Sequence, residues 1–203
     1  MAEKVYNNVS EHFGIQLNKE KLLWGSIAPD ITPYYKFIRH YKNESINYIS
    51  REIANLIFLC QGKDFEKGED LMLNKYLSKK LGIISHYLCD YTCYPHAERI
   101  TCVNSKRARE HLSYEMRLNE FSKNHQFHYL SLETEDLTFD SFRVVTVTNQ
   151  VKNYINQVVE EYMTLDHSYE KDLNFALTLN IKITNFIFEA IRENVAEYTL
   201  QRV

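Results

Sequence analysis

Two histidines each stand four residues before an acid, His86 before Asp90 and His111 before Glu115, and on a helix each such pair projects from one face. A Pro-Asp step at Pro29-Asp30, His40, and a Pro-His step at Pro95-His96 complete the set. Zinc accepts neutral imidazole and carboxylate oxygen and usually takes four donors, so Asp30, His40, His86, Asp90, His96, His111 and Glu115 have the chemistry of a multinuclear zinc site. Asp90 can use both oxygens to hold two ions, while His96, His111 and Glu115 make three ligands with a position left open. Two zincs about 3.5 to 4 Å apart activate a water and clamp the attacking and leaving oxygens of a phosphate ester. The chemistry implied is phosphoester hydrolysis without a protein nucleophile.

Either pair alone is weak, because a single His-x-x-x-acid on a helix is more often a surface ion pair or a satisfied core histidine. The two pairs together, with a Pro-His between them and a Pro-Asp upstream, carry the reading. His12, His125, His128 and His167 are expected to be surface or core residues. Cys60, Cys89, Cys93 and Cys102 are expected as free thiols, with Cys89 and Cys93 buried rather than metal-bound. Most of the 15 tyrosines and 11 phenylalanines must pack between helices, but Tyr34, Tyr35 and Phe37 lie between Asp30 and His40 and are candidates to wall the site.

The elements that must position these residues are helical. Five glycines and three prolines leave most of the 203 residues free to run as helix, and no linker divides them, so one all-α domain over 1–203 is expected. Residues 2 to 13 read as an amphipathic helix, and Asn18 caps a second, short one that Gly25 stops. Pro29 and Pro33 then make 26–33 irregular, placing Asp30 on a rigid loop. Ile46, Ile49, Ile53, Leu56, Ile57 and Cys60 form one buried stripe from Glu44 to Cys60, with Gly62 and Gly68 bracketing the following turn. A helix over about 69–93 carries His86 and Asp90, and one capped by Ser105 and running to Lys123 carries His111 and Glu115. His125 to Phe142 lacks helical periodicity, after which Val145–Met163 and Lys171–Leu200 resume it.

A formal charge of -3 gives no general basic surface, so nucleic acid is the weaker expectation for a partner. The run Lys106, Arg107 and Arg109 reads as a solvated helix face. The first residues have no apolar signal core, and no stretch approaches the roughly 18 apolar residues of a membrane span, so a cytoplasmic location is expected.

The stretches WGSIAPD, a downstream His40, GIISHYLCDYTCYPH and HLSYE resemble, in order and over about residues 20–120, the zinc-dependent phospholipase C family, whose all-helical fold is shared with the S1/P1 nucleases. The resemblance implies a multi-helix bundle with the metal site between helices. It assigns Asp30, His40, His86 and Asp90 to one zinc, Asp90 as a bridge to a second, and His96, His111 and Glu115 to another. Asp30 becomes a candidate general base for the attacking water. The expected cofactor is Zn2+, two ions and up to three, and the expected reaction is headgroup cleavage from phospholipid, with transient contact at a membrane surface. The family closes one zinc site with an N-terminal tryptophan and a first-helix histidine, which MAEKVYNN does not match, so a reduced centre or an upstream start is expected. An aromatic residue follows the family's Asp, where this chain has Ile31, and another stands three before its His, where this chain has Phe37. Choline specificity is therefore not implied. The alternatives are a nuclease or small-molecule phosphoesterase on the same fold, and a non-catalytic zinc-stabilised helical binding protein.

Overall fold

The computed structural model describes residues 1–63, 65, 70–100 and 105–200, the side chains of 105 and 194–200 excepted. Among the described residues there are eight α-helices, one 3-10 helix and no strand: α1 (Ala2–Phe13), α2 (Lys19–Ile31), the 3-10 helix Pro33–Phe37, α3 (Lys42–Leu59), α4 (Leu71–Tyr91), α5 (Tyr94–Ala97), α6 (Ser105–Ser122), α7 (Val144–Thr164) and α8 (Tyr169–Leu200). No described helix is long and apolar enough to cross a membrane.

The helices obey the periodicity of their apolar residues. In α3, Ile46, Ile49, Ile53, Leu56 and Ile57 are all buried, facing α4, α7 and α8. In α7 the stripe is Val147, Val151, Tyr154, Ile155, Val158 and Tyr162. α4 and α8 pack against each other within one hydrophobic core, to which α4 gives Leu77, Leu81, Ile84 and Leu88 and α8 gives Phe175, Leu179, Ile183 and Phe186. Gly14, with φ 68°, ends α1 in the left-handed conformation that glycine adopts without penalty.

α2 departs from expectation. Asn18 does cap it, accepting from the Lys21 amide at 2.9 Å, but the helix runs through Gly25 and Pro29 to Ile31. Asp30 therefore sits on the last helical turn rather than on an irregular loop. Gly25 is no stop signal; it is where the backbone of α2 touches that of α4. A Cβ on Gly25 would lie 2.2 Å from the Lys79 carbonyl oxygen, and one on Gly82 would lie 2.2 Å from that of Leu22. The two glycines permit a crossing closer than any side chain allows, and that packing outweighs the local preference against helix at Ala28, the residue before Pro29. The Asn18 amide also donates to Asn74 Oδ1 and Ser78 Oγ on α4, at 3.0 and 2.8 Å, locking the register at the start of α2.

α4 begins two residues later than expected, capped by Asp70, whose Oδ1 accepts from the Leu73 amide. Ser105 is the first residue of α6 rather than its cap, and the turn residue Gly68 lies outside the described residues. The stretch from His125 to Phe142 has no helix or strand. It lies along α8, where Asn174 Oδ1 accepts from the His128 amide and Thr178 Oγ1 accepts from the Leu130 amide, while Phe127, Leu130, Leu132 and Phe139 pack on the core.

Candidate metal centre

α4 is the spine of the site. Its last turns carry His86 and Asp90, with α2 on one side and α5 and α6 on the other. The close crossing at Gly25 and Gly82 brings Asp30 to α4 and lets the His86 Nδ1–H donate to the Ser26 carbonyl at 2.9 Å. Tyr87 reaches the other way, donating to the Ile38 carbonyl at 3.1 Å and setting the chain that presents His40 beside its ring. Asp30, His40 and His86 thereby form one group of converging ligand atoms. His86 Nε2 lies 3.1 Å from His40 Nδ1 and 3.5 Å from Asp30 Oδ1, and His40 Nδ1 lies 3.9 Å from Asp30 Oδ1.

His96, His111 and Glu115 form a second group. Glu115 Oε1 is 2.9 Å from His111 Nε2 and 3.0 Å from His96 Nε2, and the two imidazole nitrogens are 3.3 Å apart. The turn after α5 forces Arg99 into the left-handed region at φ 51°, a strain on the order of 1 kcal/mol, and so delivers the Ile100 carbonyl to accept from His111 Nδ1–H at 3.3 Å. Backbone acceptors on Nδ1 leave the Nε2 lone pairs of His86 and His111 facing their groups, the arrangement a metal-ligating histidine requires.

Asp90 stands between the two groups. Its Oδ2 is 2.7 Å from His40 Nδ1 and 3.3 Å from His86 Nε2, while its Oδ1 points towards His96 Nε2 at 3.8 Å. One side thus offers four donors and the other three. All seven residues singled out in the sequence meet here.

The donor atoms fit zinc. Zinc–ligand bonds of roughly 2.0 to 2.1 Å in a tetrahedron put neighbouring donors about 3.3 Å apart, and the pairs in both groups lie on either side of that spacing, from 2.7 to 3.9 Å. Imidazole nitrogens turned towards one another at such distances are what an ion between them would reconcile. His96 Nδ1 is buried with no hydrogen-bond partner among the described residues, so His96 is held by packing and by its Nε2 side.

Charge in the metal-free site follows from this crowding. Burial opposes the His86 imidazolium, but the Asp90 and Asp30 carboxylates and the Ser26 carbonyl outweigh it and raise the pKa to about 9. Burial also opposes the Asp90 carboxylate, yet His86, His96 and His40 hold it well below the usual range. Against burial, the hydrogen bonds and charges of His111 and His96 bring Glu115 down to about 2. A raised histidine stabilises the fold fully below its unfolded value of 6.5, and that contribution is lost as pH rises to about 9. A depressed carboxylate contributes fully above its unfolded value of 4.5 and is lost as pH falls towards 2. The metal-free protein is therefore expected to melt highest between these limits and lower towards pH 9, whereas zinc, which needs neutral His86, should remove the alkaline loss. Calorimetry with and without chelator checks this, and a metal-free melting temperature that climbs from pH 6.5 to 9 would contradict it.

Asp172 on α8 is a positioning residue with no signal in the motif spacing. It is 2 % exposed; its Oδ1 accepts from Tyr162 Oη at 2.6 Å, and its Oδ2 accepts from Tyr114 Oη at 2.8 Å and the Tyr94 amide at 3.0 Å. Tyr94 begins the short helix of His96, and Tyr114 precedes Glu115, so one carboxylate ties both halves of the three-donor group to the core. Asp172→Ala would leave these donors unmatched, at about 1 to 3 kcal/mol for each one that water cannot reach. Denaturant unfolding should show that loss. Zinc titration should show the three-donor group weakened and the four-donor group kept, with Asp172→Asn restoring part of the binding. Equal loss from both groups would contradict the positioning role.

Tyr35, at 7 % exposed, belongs to the core and cannot wall the site, because the 3-10 helix turns its ring inward; Tyr34 and Phe37 are exposed. His12, His128 and His167 are exposed, and His125 bonds Asn174 Oδ1 at 2.9 Å. Cys60, Cys89 and Cys93 are free; burial raises all three thiols, Cys60 to about 12 and Cys89 to about 11. Cys102 lies outside the described residues. Lys106, Arg107 and Arg109 are exposed on α6.

Comparison with curated proteins and with solved structures gave no match. The sequence profile of the family described as "Zinc dependent phospholipase C" matches residues 1–169, a span that holds all seven donor residues. With helices, donor chemistry and profile in agreement, the chain belongs to the zinc-dependent phospholipase C family.

Proposed function

We propose that the protein hydrolyses phosphodiesters, and that its substrate is a phospholipid whose phosphorylated headgroup is released from diacylglycerol. The observation that carries the reading is the pair of converging donor groups, Asp30, His40, His86 and Asp90 on one side and His96, His111 and Glu115 on the other, with Asp90 standing between them. Asp30, His40, His86 and Asp90 would hold one zinc, and His96, His111 and Glu115 another. When bound, zinc supplies Lewis acidity that makes water nucleophilic near neutral pH and offsets charge on the phosphoryl oxygens.

The chain's own residues do the rest. Asp30 is 61 % exposed in its side chain, so it can meet both solvent and substrate, and it accepts the proton of the attacking water. The new P–O bond forms as the bond from phosphorus to the glycerol oxygen breaks, and the proton accepted by Asp30 passes, directly or through solvent, to that leaving oxygen, which regenerates the carboxylate. Asp90 orients His40 and His86, while burial of His86, His96 and His111 keeps bulk water from the donors. Three donors rather than four at His96, His111 and Glu115 leave room there for a phosphoryl oxygen.

The test is turnover by zinc-loaded protein on a short-chain phospholipid, a soluble aromatic phosphodiester and single-stranded nucleic acid. Release of phosphorylated headgroup, lost with chelator and restored by zinc, is expected. Cleavage of nucleic acid alone would move the reading to a nuclease. Zinc that raises the melting temperature without turnover on any substrate would leave a structural metal protein.

A further inference from the structure

α2 has a second face that the site does not use. Leu22, Gly25, Ala28 and Pro29 are buried, but Leu23, Trp24, Ile27 and Ile31, which an isolated solvated helix would make polar, are exposed; Ile27 is 49 % exposed and Trp24 45 %. At 100° per residue these four fall within roughly a third of the helix circumference, and Asp30 lies at the edge of the same sector. The 3-10 helix, which follows α2 and contacts it, adds exposed Tyr34 and Phe37, the latter 89 % exposed. Contiguous exposed apolar surface of this kind marks an interaction site. Exposed Lys21, Lys36 and Arg39 flank it, and Glu20 marks its far end.

We propose that this strip is the surface by which the protein docks on a phospholipid leaflet. The inference rests on the reading of the substrate as a phospholipid and names the face that meets it. Two features of the strip favour lipid over a second copy of the chain. It is continuous with the site: a phosphate brought to Asp30 and His86 lies within one helical turn of Ile27 and Ile31, where the attached apolar chains must go. Lys21 and Lys36 on its rim can meet lipid phosphates, although Glu20, Asp30 and the Arg39–Glu44 pair make the rim mixed in charge, and its Trp24 and Tyr34 suit the boundary between headgroups and acyl chains.

Trp24 is the sole tryptophan of the chain, so its fluorescence reports on the strip alone. Zinc-loaded full-length protein is mixed with vesicles of phosphatidylcholine and phosphatidylglycerol. A blue shift with quenching by brominated acyl chains is expected, together with co-sedimentation. The Leu23→Ser/Ile27→Ser variant should bind vesicles at least about tenfold more weakly, while keeping its melting temperature and its rate on a soluble aromatic phosphodiester. Absence of the shift, equal binding by the variant, or a concentration-dependent blue shift without vesicles, which would mean self-association, overturns the proposal. Failure here with the soluble diester still cleaved removes the docking face alone. Vesicle binding without hydrolysis of any diester removes the enzymatic reading instead.

Discussion

Asp90→Asn is expected to lower phosphodiester turnover by at least about a thousandfold and to weaken zinc binding at both donor groups. Among the described residues Asp90 is the one with an oxygen towards each group, 2.7 Å from His40 on one side and 3.8 Å from His96 on the other. Asparagine keeps the shape, but it carries no charge and offers an amide nitrogen, not a second oxygen ligand. Changes to outer-shell partners alone cost roughly ten- to a hundredfold in metal affinity, so loss of a direct ligand at one group and of the neighbouring negative charge at the other should cost at least as much. Metal contributes several kcal/mol of transition-state stabilisation, which at about 1.4 kcal/mol per decade gives the factor in turnover. His86→Ala, by contrast, should empty the four-donor group and spare the other. Zinc titration against a competing chelator, run beside turnover, separates the two. If Asp90→Asn weakened only one group, Asp90 would be an ordinary ligand and not the link between them.

Gly82→Ala is expected to be the most damaging substitution outside the donor set. Its Cβ would meet the Leu22 carbonyl oxygen at 2.2 Å and the Ser26 amide nitrogen at 2.8 Å, both of them backbone atoms that cannot rotate aside. Overpacking in a core costs about 1 to 3 kcal/mol and occasionally more. The helix propensity that alanine gains over glycine, about 1 kcal/mol, offsets only part of that. To relieve the contact α2 must move off α4, and Asp30 and the Ser26 carbonyl move with it. Loss of zinc from the four-donor group should therefore accompany a fall in stability of a few kcal/mol, read by denaturant unfolding and metal content. A stable variant with full zinc would mean that the crossing does not place Asp30.

The same crossing shows where the sequence was hard to read. The apolar stripes of α1, α3, α7 and α8 are long and regular, so tertiary packing agrees with local pattern and the helices are visible in advance. Asp30 is different. Gly25 and Pro29 are local signals for a helix end, and they lose to a backbone contact with Gly82, a residue 57 positions away that no window could join to them. An isolated glycine inside the apolar pattern of α4 was the available clue, since such a residue commonly marks close approach.

The site itself was legible because histidine and carboxylate pairs at four-residue spacing already sit on one helix face. Their supports were not. Asp172 lies 57 residues after Glu115 and reads as an ordinary acid in the first turn of α8; only the folded chain shows it buried with two tyrosine hydroxyls and the Tyr94 amide on it. Tyr35 errs in the other direction, because its neighbours Tyr34 and Phe37 are exposed and nothing in three closely spaced aromatics says which one turns inward.

Two donor groups with Asp90 between them should hold two ions, and metal content reads this out. Protein purified without added metal, with its His86→Ala and His111→Ala variants, should be assayed by inductively coupled plasma mass spectrometry. At least two zincs per chain are expected, with each variant losing about one and keeping the other. Less than one zinc per chain, unchanged by either substitution, would contradict the account.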